Sequence, residues 1–216
     1  MSELLNVEFV NADPRCACAL VLDTSGSMGG APISALNEGL AAFQQELQND
    51  ALASRRVEVA IVTFGDHGVR TVQDFVSAAQ FTAPMLSSGG MTPMGQAIST
   101  ALDLVRNRKA VYKANGVPYY RPWVFLITDG GPTDEWGTAA KKVHDEEQAN
   151  GIAFFAVGTA GADMEVLSQI AVRPPLHLDG LKFVELFVWL SQSQKRVSGS
   201  KVGEQTALPP VGWTAV

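Results

Sequence analysis

Apolar residues follow two different patterns along the chain. Near-continuous apolar runs of strand length occupy residues 16–23, 57–64, 123–128, 152–158 and 175–178. The segments between them are typical of helices and lie at residues 32–47, 94–111, 134–150, 163–170 and 181–192. The first helix has one apolar face, with a spacing of three or four residues between Ile33, Leu36, Leu40, Phe43 and Leu47. Strands that alternate with helices predict an α/β domain with a largely parallel sheet covered on both faces.

A hairpin interrupts this alternation after the second strand. The turn Gly65-Asp66-His67-Gly68 is followed by residues 69–76, which are again strand-like. Because a short turn joins antiparallel strands, we expect this strand to lie antiparallel at an edge of the sheet. From Ser193 onward the composition changes to Ser, Gly, Lys and Pro. The sequence therefore predicts one domain over residues 1–193 and a flexible or surface-draped tail over residues 194–216.

Charge and hydropathy narrow the range of partners. The 216-residue chain has a net charge of -6 and a pI near 5.0, which argues against nucleic acid as a ligand. The N-terminus shows no basic region followed by an apolar region, so we expect no signal peptide. The most apolar stretch, residues 181–190, is too short to span a bilayer and contains two charged residues. We therefore expect neither nucleic acid nor a membrane as a partner.

The only two cysteines, Cys16 and Cys18, lie two residues apart in the first predicted strand. Strand alternation places them on the same face, yet strand residues at this spacing do not normally form a disulfide. We interpret them as small buried apolar residues. With no signal peptide expected, they indicate a reducing, cytoplasmic setting.

Three polar segments carry the candidate chemistry. Asp23-Thr24-Ser25-Gly26-Ser27 ends the first strand, Gly89-Gly90-Met91-Thr92-Pro93 enters a helix, and Thr128-Asp129-Gly130-Gly131 ends the strand at 123–128. In an open α/β sheet, the loops at the carboxyl ends of the strands form the functional crevice. We therefore expect the three segments to meet at one edge of the sheet.

The side chains in these segments suit a hard divalent cation. Mg²⁺ prefers oxygen ligands and usually retains water. The hydroxyls of Ser25 and Ser27 can coordinate it directly, while the Asp23 carboxylate anchors it electrostatically. Thr92 can add a third hydroxyl and Asp129 a second carboxylate, either directly or through water. Mg²⁺, Mn²⁺ and Ca²⁺ all accept such ligands, so the sequence leaves the native ion open.

The order of these residues resembles the metal-ion-dependent adhesion site of von Willebrand factor A domains. The resemblance rests on Asp23-x-Ser25-x-Ser27, Thr92 before Pro93, and Thr128-Asp129-Gly130, and it covers residues 16 to about 193. It implies a doubly wound, Rossmann-like sheet, mostly parallel and six-stranded, with one antiparallel edge strand and helices on both faces. Asp23, Ser25, Ser27, Thr92 and Asp129 carry over as metal ligands.

The second loop departs from the family pattern. Many members place threonine directly after the glycines, whereas here Met91 separates Gly90 from Thr92. We keep Thr92 as the ligand because it still precedes Pro93, with Ser88 as the alternative. Met28 and Met91 flank the candidate site, either as an apolar rim for a partner or as packed loop residues. Asp134 is expected to cap the helix that follows it.

The resemblance implies a binding module rather than an enzyme. The expected function is metal-dependent interaction with a partner protein that presents a carboxylate to the metal, as an adaptor or scaffold. The compact chain is similar to bacterial single-domain proteins associated with tellurium resistance. This similarity suggests kinase or phosphatase components of a stress-response system as partners.

Two other functions compete with this interpretation. A magnesium-dependent phosphohydrolase is the alternative, but such phosphatases have a second aspartate two residues after the first, where this chain has Ser25. A nucleotide-binding domain is suggested by Gly26-x-x-Gly29-Gly30 between a strand and a helix. Its spacing does not match the dinucleotide fingerprint, so we expect no nucleotide binding.

Overall fold

The computed structural model describes residues 13–214 and contains one six-stranded sheet within them. The strands, in chain order β1 to β6, are Cys16–Thr24, Val57–Gly65, Gly68–Ser77, Trp123–Thr128, Ala153–Gly158 and Leu176–His177. Their order across the sheet is β3-β2-β1-β4-β5-β6. All neighbouring pairs are parallel except β2 and β3, which form the predicted antiparallel hairpin at one edge.

Six α-helices and a short 3₁₀ helix, Gly26–Met28, surround the sheet in the described part of the chain. The helices, α1 to α6, are Ala31–Gln48, Ala53–Arg56, Met94–Ala114, Gly137–Gln148, Met164–Ile170 and Phe183–Gly199. Helices α1 and α6 pack on one face of the sheet, and α3, α4 and α5 pack on the other. The prediction of an α/β sheet with helices on both faces is therefore confirmed.

Strand β1 shows why both faces need apolar cover. All nine of its residues are buried, with Leu20 and Leu22 in the core against α1 and α6, and Ala19 and Val21 in the core against α3. A strand buried on both faces has a continuous apolar run because alternate side chains enter different cores. Its central position between β2 and β4 places Asp23, near its end, in the middle of the sheet edge.

The last helix differs from the prediction. Helix α6 continues to Gly199, seven residues beyond the predicted end at Gln192, so the first residues of the proposed tail are helical. Several hydroxyls in this stretch are bonded to the helix itself: Ser193 donates to the carbonyl of Trp189 at 2.8 Å and Ser198 to that of Lys195 at 3.1 Å. The predicted helix end at Gln192 was therefore wrong, because Ser193 and Ser198 bond their hydroxyls to carbonyls of the helix itself and are compatible with its continuation. The domain boundary itself stays a prediction.

Residues 200–214 lie along α6 without helix or strand. The indole of Trp189 donates to the carbonyl of Pro209 at 2.9 Å, and Trp213 is buried against Trp189. Thr214 then forms an isolated antiparallel bridge with Leu178. Within residues 13–214, no helix combines the length and apolar character needed to cross a membrane. Both cysteines are buried and free, as predicted.

Candidate metal centre

The sheet brings the two predicted carboxylates to the same edge. Strands β1 and β4 are parallel neighbours, and Leu22 is paired with Ile127. Asp23 and Thr128 therefore follow side by side, and Asp129 comes directly after β4. Parallel strands end in the same direction, so the loops after β1 and β4 must lie together. This register, rather than any feature of the loops, places Asp23 and Asp129 in one site.

Asp23 is fully buried and strongly held. One carboxylate oxygen accepts from the backbone N–H of Ser25 at 2.8 Å, and the other accepts from the hydroxyl of Thr128 at 2.5 Å. Burial raises the pKa of the Asp23 carboxyl, the hydrogen bonds from Ser25 and Thr128 oppose that rise, and the charge of Asp129 adds to it. Asp23 is thus close enough to Asp129 for the two carboxylate charges to repel, and a bound cation would relieve that repulsion.

The two serines connect the carboxylates. The hydroxyls of Ser25 and Ser27 lie 3.1 Å apart, and Ser27 donates to a carboxylate oxygen of Asp129 at 2.7 Å. Ser27 belongs to the 3₁₀ helix that follows β1, so this bond joins two loops that are 102 residues apart in sequence. Ser25, Ser27 and Asp129 are thus linked through their side-chain oxygens, and Asp23 joins them through the backbone N–H of Ser25.

Thr92 approaches the same group from the second loop. It is buried, and its hydroxyl lies about 4.0 Å from the position a Cβ would take on Gly130, the residue after Asp129. The alternative, Ser88, has its hydroxyl beside Gly29 at the far end of the 3₁₀ helix. The geometry therefore favours Thr92, despite the inserted Met91.

Backbone hydrogen bonds tie the first and second loops together. The N–H of Gly89 donates to the carbonyl of Thr24 at 2.8 Å, and the N–H of Gly26 donates to that of Gly90 at 3.1 Å. Gly90 has a φ of 72°, and a Cβ there would come within 2.6 Å of the Asp66 Cα. Only glycine fits at this position, because it needs both a left-handed backbone and close contact with the hairpin turn.

The third loop is tied to the second through Thr133 and Asp134. The N–H of Thr92 donates to the hydroxyl of Thr133 at 3.0 Å, and the N–H of Thr133 donates to the carbonyl of Thr92 at 2.9 Å. Asp134 accepts from the N–H groups of Gly95 and Gln96 at 2.9 and 2.8 Å. The expectation that Asp134 caps the following helix was wrong: it caps α3, which begins at Met94.

The two flanking methionines have different environments. Met28 is fully buried in the core under α1, so it is a packed residue. Met91 has 66% of its surface exposed, next to Thr92. Only Met91 can therefore form part of an apolar rim for a partner.

The donor set fits a hard cation. It combines the carboxylates of Asp23 and Asp129 with the hydroxyls of Ser25, Ser27 and Thr92, all oxygen ligands. Within residues 13–214, no cluster of three or more His, Cys, Asp or Glu side chains suits a metal ion. Three of the five candidate ligands are hydroxyls and only two are carboxylates, which explains why the site does not form such a cluster. It differs in this from metal sites built from thiolates and imidazoles.

Sequence reasoning assigned no role to Thr128 or Thr133. Thr128 belongs to the third polar segment, and its position beside Asp23 at the ends of paired strands is the signal that could have assigned its role. Thr133 follows Pro132 in the loop after β4 and carries no local pattern that points to Thr92. Its role depends on a contact across 41 residues of chain, which the sequence does not show.

Comparison with known proteins identifies the family. The sequence profile of the von Willebrand factor type A domain matches residues 18–182, which include all five candidate ligands. The chain belongs to the von Willebrand factor type A (VWA) family. A search of curated proteins finds no sequence match for this VWA chain.

Solved structures show the same VWA fold at low sequence identity. The pilus adhesin SpaC from Lactobacillus rhamnosus GG is 18% identical with a TM-score of 0.64, over 86% of this chain and 31% of the adhesin. Proximal thread matrix protein 1 from the mussel byssus, whose structure has a zinc-occupied metal-ion-dependent adhesion site (MIDAS) motif, is 18% identical with a TM-score of 0.55. The match covers 84% of this chain and 47% of that protein. The SpRpn10 VWA domain is 13% identical with a TM-score of 0.55, over 80% of this chain and 95% of that domain. The chain thus corresponds to less than half of the first two proteins.

Proposed function

We propose that this VWA domain is a divalent-metal-dependent protein–protein interaction module. Asp23, Ser25, Ser27, Thr92 and Asp129 would hold the metal, and an acidic group of a partner protein would complete its coordination. Mg²⁺ is the proposed ion, with Mn²⁺ or Ca²⁺ also compatible with oxygen ligands. The domain would act as an adaptor or scaffold, and not as an enzyme.

The observation that carries this proposal is the hydrogen bond of 2.7 Å from Ser27 to Asp129. It joins two candidate ligands from separate loops, as expected if both serve one site. The zinc-occupied MIDAS motif of the mussel protein, which has a similar fold, provides independent support.

The composition of the site explains how it would capture a carboxylate. Only two of the five proposed ligands, the carboxylates, carry a negative charge, and the three hydroxyls are neutral. A dication held by this set would stay electrophilic. When bound, the metal would supply a Lewis-acidic position for the partner's acidic side chain. The chain's own contribution is to hold the ligands: Thr128 and the Ser25 N–H orient Asp23, and Ser27 orients Asp129.

Calorimetric titration with Mg²⁺, Mn²⁺ and Ca²⁺ tests the site. We expect the wild-type protein to bind Mg²⁺ or Mn²⁺ and Asp129→Ala to bind it at least about tenfold more weakly. The matched control is Asp145→Asn, which removes an exposed acidic charge from α4. Unchanged affinity in Asp129→Ala, or equal loss in both variants, would refute the assignment.

Position 25 favours binding over phosphoryl chemistry. A phosphohydrolase of the aspartyl type needs a second carboxylate two residues after Asp23, whereas the hydroxyl of Ser25 lies there, 3.1 Å from that of Ser27. We expect no magnesium-dependent hydrolysis of p-nitrophenyl phosphate. Hydrolysis that disappeared in Asp23→Asn would favour the enzyme instead.

The cellular context proposed here is a cytoplasmic stress-response assembly of the tellurium-resistance type, with kinase or phosphatase components among the partners. It is supported by the resemblance of this VWA sequence to bacterial proteins of that type. Affinity capture from the native cell, with Mg²⁺ in one arm and chelator in the other, tests it. We expect partners of this class only in the Mg²⁺ arm. Capture of unrelated proteins, or no dependence on metal, would contradict the context.

A further inference from the structure

A cleft of about 1090 Å³ lies at the opposite end of the sheet from the candidate metal centre. Trp123 and Ala153, the first residues of β4 and β5, line this cleft, whereas Asp129 follows the last residue of β4. Its outer wall is the chain after α6, residues 202–206 and 208, so we call it the tail cleft. The volume is at the upper end of that of sites for small organic molecules, about 300–1,000 Å³.

Aromatic side chains form the inner wall of the tail cleft. The ring centroids of Trp123 and Phe155 lie 4.8 Å apart, and Phe125 stacks on Phe155 at 5.1 Å. Trp123 is buried, whereas Phe155 is only partly buried and leaves part of its surface open to the cleft. Tyr119 and Tyr120 continue this wall. Rings held in place by strands offer a planar ligand a stacking surface that needs no further ordering.

The outer wall is fixed at both ends and contains a buried polar group without a partner. The hydroxyl of Tyr120 donates to the carbonyl of Ser200 at 2.6 Å, where the chain leaves α6, and the indole of Trp189 donates to that of Pro209 at 2.9 Å. Between these anchors, the hydroxyl of Thr206 is buried and has no hydrogen-bond partner among the described residues. Buried hydroxyls are normally bonded, so a polar group in the cleft can supply the missing partner.

Basic side chains outnumber acidic ones in the lining of the tail cleft. The basic residues are Lys109, Lys113, Arg121 and Arg173, and the acidic ones are Glu146 and Glu204. Both arginines are bonded to Glu147, a buried residue outside the lining. The cleft keeps a positive excess even when this carboxylate is counted, in a chain whose net charge is -6. It therefore favours an anionic ligand over a cationic one.

Lys113 is the basic residue of the lining that is free to pair with such a ligand. It is exposed in the last turn of α3, and its ammonium makes no ion pair or hydrogen bond with any described residue. Lys109, one turn earlier, lies 3.2 Å from the carbonyl of Gly151, two residues before Ala153, which is paired with Trp123. Lys113 is thus about 6 Å along α3 from a contact with the strand ends that carry the aromatic wall, a distance that a two-ring ligand can span.

We propose that the tail cleft binds a small planar aromatic anion, in a role separate from that of the metal site. The ring system of this ligand lies against Trp123 and Phe155, its acidic group pairs with Lys113, and the hydroxyl of Thr206 is available to a polar substituent. The five proposed metal ligands lie at the other end of the sheet, so binding in the cleft does not depend on metal.

Fluorescence titration of the full chain with anilinonaphthalene sulfonate (ANS) tests the proposal, with N-phenylnaphthylamine as the uncharged analogue that lacks the sulfonate. We expect one saturable ANS site, with equal affinity in Mg²⁺ and in chelator, and weaker binding of the uncharged analogue. Lys113→Gln should weaken ANS binding about fivefold or more at low salt and less at high salt, because it removes the cation. It should leave the affinity for the analogue unchanged.

The matched control for that variant is Lys141→Gln. Lys141 is an exposed lysine of α4 outside the lining, and its loss changes the net charge of the chain equally. We expect wild-type ANS affinity in this control. Equal losses in the two lysine variants, or no loss in Lys113→Gln, would overturn the proposal.

Phe155→Leu tests the aromatic wall and should weaken binding of both probes about threefold or more, because leucine is apolar but has no ring face. Circular dichroism checks that this variant is folded. Its control is Met85→Ser, which removes a side chain that is 87% exposed and lies outside the cleft.

Two further results would contradict the aromatic-anion site. An effect of Met85→Ser as large as that of Phe155→Leu, or ANS binding without saturation, would mean adventitious binding to exposed apolar surface only. A dimer of the free protein in sedimentation velocity that ANS dissociated would also overturn the proposal, because a second copy of the chain would then occupy the cleft.

Discussion

The hydroxyl of Thr128 donates to a carboxylate oxygen of Asp23 at 2.5 Å. Both residues are buried at the ends of neighbouring parallel strands, so the bond follows from the strand register rather than from loop conformation. It fixes the plane of the Asp23 carboxylate, because the backbone N–H of Ser25 holds the other oxygen. Thr128 is therefore a positioning residue for the candidate metal site.

Thr128→Val should weaken Mg²⁺ binding about tenfold or more. Valine keeps the shape of threonine but removes the donor to Asp23, and residues that orient metal ligands typically contribute 10–100-fold in affinity. Calorimetry measures the change. Thr128→Ser retains a hydroxyl and should retain most of the affinity, which separates orientation from packing. Equal losses in both variants would assign Thr128 a packing role instead.

Asp134→Ala should reduce both stability and metal affinity. The carboxylate accepts from two N–H groups in the first turn of α3, and loss of such a cap costs about 1 kcal/mol of unfolding free energy. Because Thr92 lies two residues before α3, fraying of this turn should also disorder a proposed ligand. Urea unfolding and Mg²⁺ calorimetry measure the two effects.

Asp50→Ala is the matched control for that prediction. Asp50 also accepts from two N–H groups, those of Leu52 and Ala53, at 3.0 and 2.8 Å, but it caps α2, which precedes β2. It should lower stability by a similar amount and leave metal affinity unchanged. Reduced metal affinity in both variants would mean that general destabilisation explains the effect of Asp134→Ala.

Arg108→Met should destabilise the fold by about 3 kcal/mol without changing metal affinity. Arg108 forms two hydrogen bonds, of 2.6 and 2.7 Å, to Glu58, which is 97% buried at the start of β2, away from the metal site. Its loss leaves Glu58 with Arg15 at 3.3 Å and the hydroxyl of Tyr112. Denaturant unfolding measures the cost.

Arg106→Met provides the control on the same helix. Its ion pair with Asp103 is exposed, and exposed pairs contribute less than about 1 kcal/mol because solvent screens them. A loss for Arg108→Met no larger than that for Arg106→Met would show that Arg15 and Tyr112 are sufficient partners for Glu58.

Stability should fall as the pH rises above about 9. Burial raises the pKa of the Cys16 thiol to about 12, and burial also raises the pKa values of Cys18 and Tyr112. In the unfolded chain these groups lose their protons near pH 8.5 and 10, whereas the folded protein keeps them. The unfolded state therefore binds fewer protons in this range. Each group lowers the free energy of unfolding by about 1.4 kcal/mol per pH unit above its unfolded pKa.

Urea unfolding at pH 8 and pH 10.5 measures this dependence. Cys18→Ala should show a shallower decline, because one group no longer releases a proton on unfolding. A flat stability profile, or the same slope in the variant, would contradict the expected burial of protonated thiols.

The sequence predicted most of the fold because strands buried on both faces have long apolar runs. β1, β2 and β4 were placed within one residue at each end, and the hairpin followed from the turn Gly65-Asp66-His67-Gly68. The end of α6 was missed because composition alone does not show where a serine hydroxyl is bonded. Ser193 and Ser198 are fully buried, with hydroxyls bonded to carbonyls of α6.

The candidate ligands could be predicted because they occupy short motifs at the ends of predicted elements. The residues that hold them could not, since their contacts join distant segments. Thr133 reaches Thr92 across 41 residues, and Asp134 reaches back to the first turn of α3 rather than forward to α4. A local capping pattern at Asp134 was therefore assigned to the wrong helix.

The backbone bonds between the three loops have a thermodynamic consequence. Thr24 with Gly89, Gly26 with Gly90, and Thr92 with Thr133 are linked by the polypeptide itself. Folding therefore bears the loss of conformational entropy that an incoming ion would otherwise have to impose on the loops. Such preorganisation means that an arriving cation changes the charge at the sheet edge far more than the positions of the chain, and amide hydrogen exchange in these loops should already be slow in its absence.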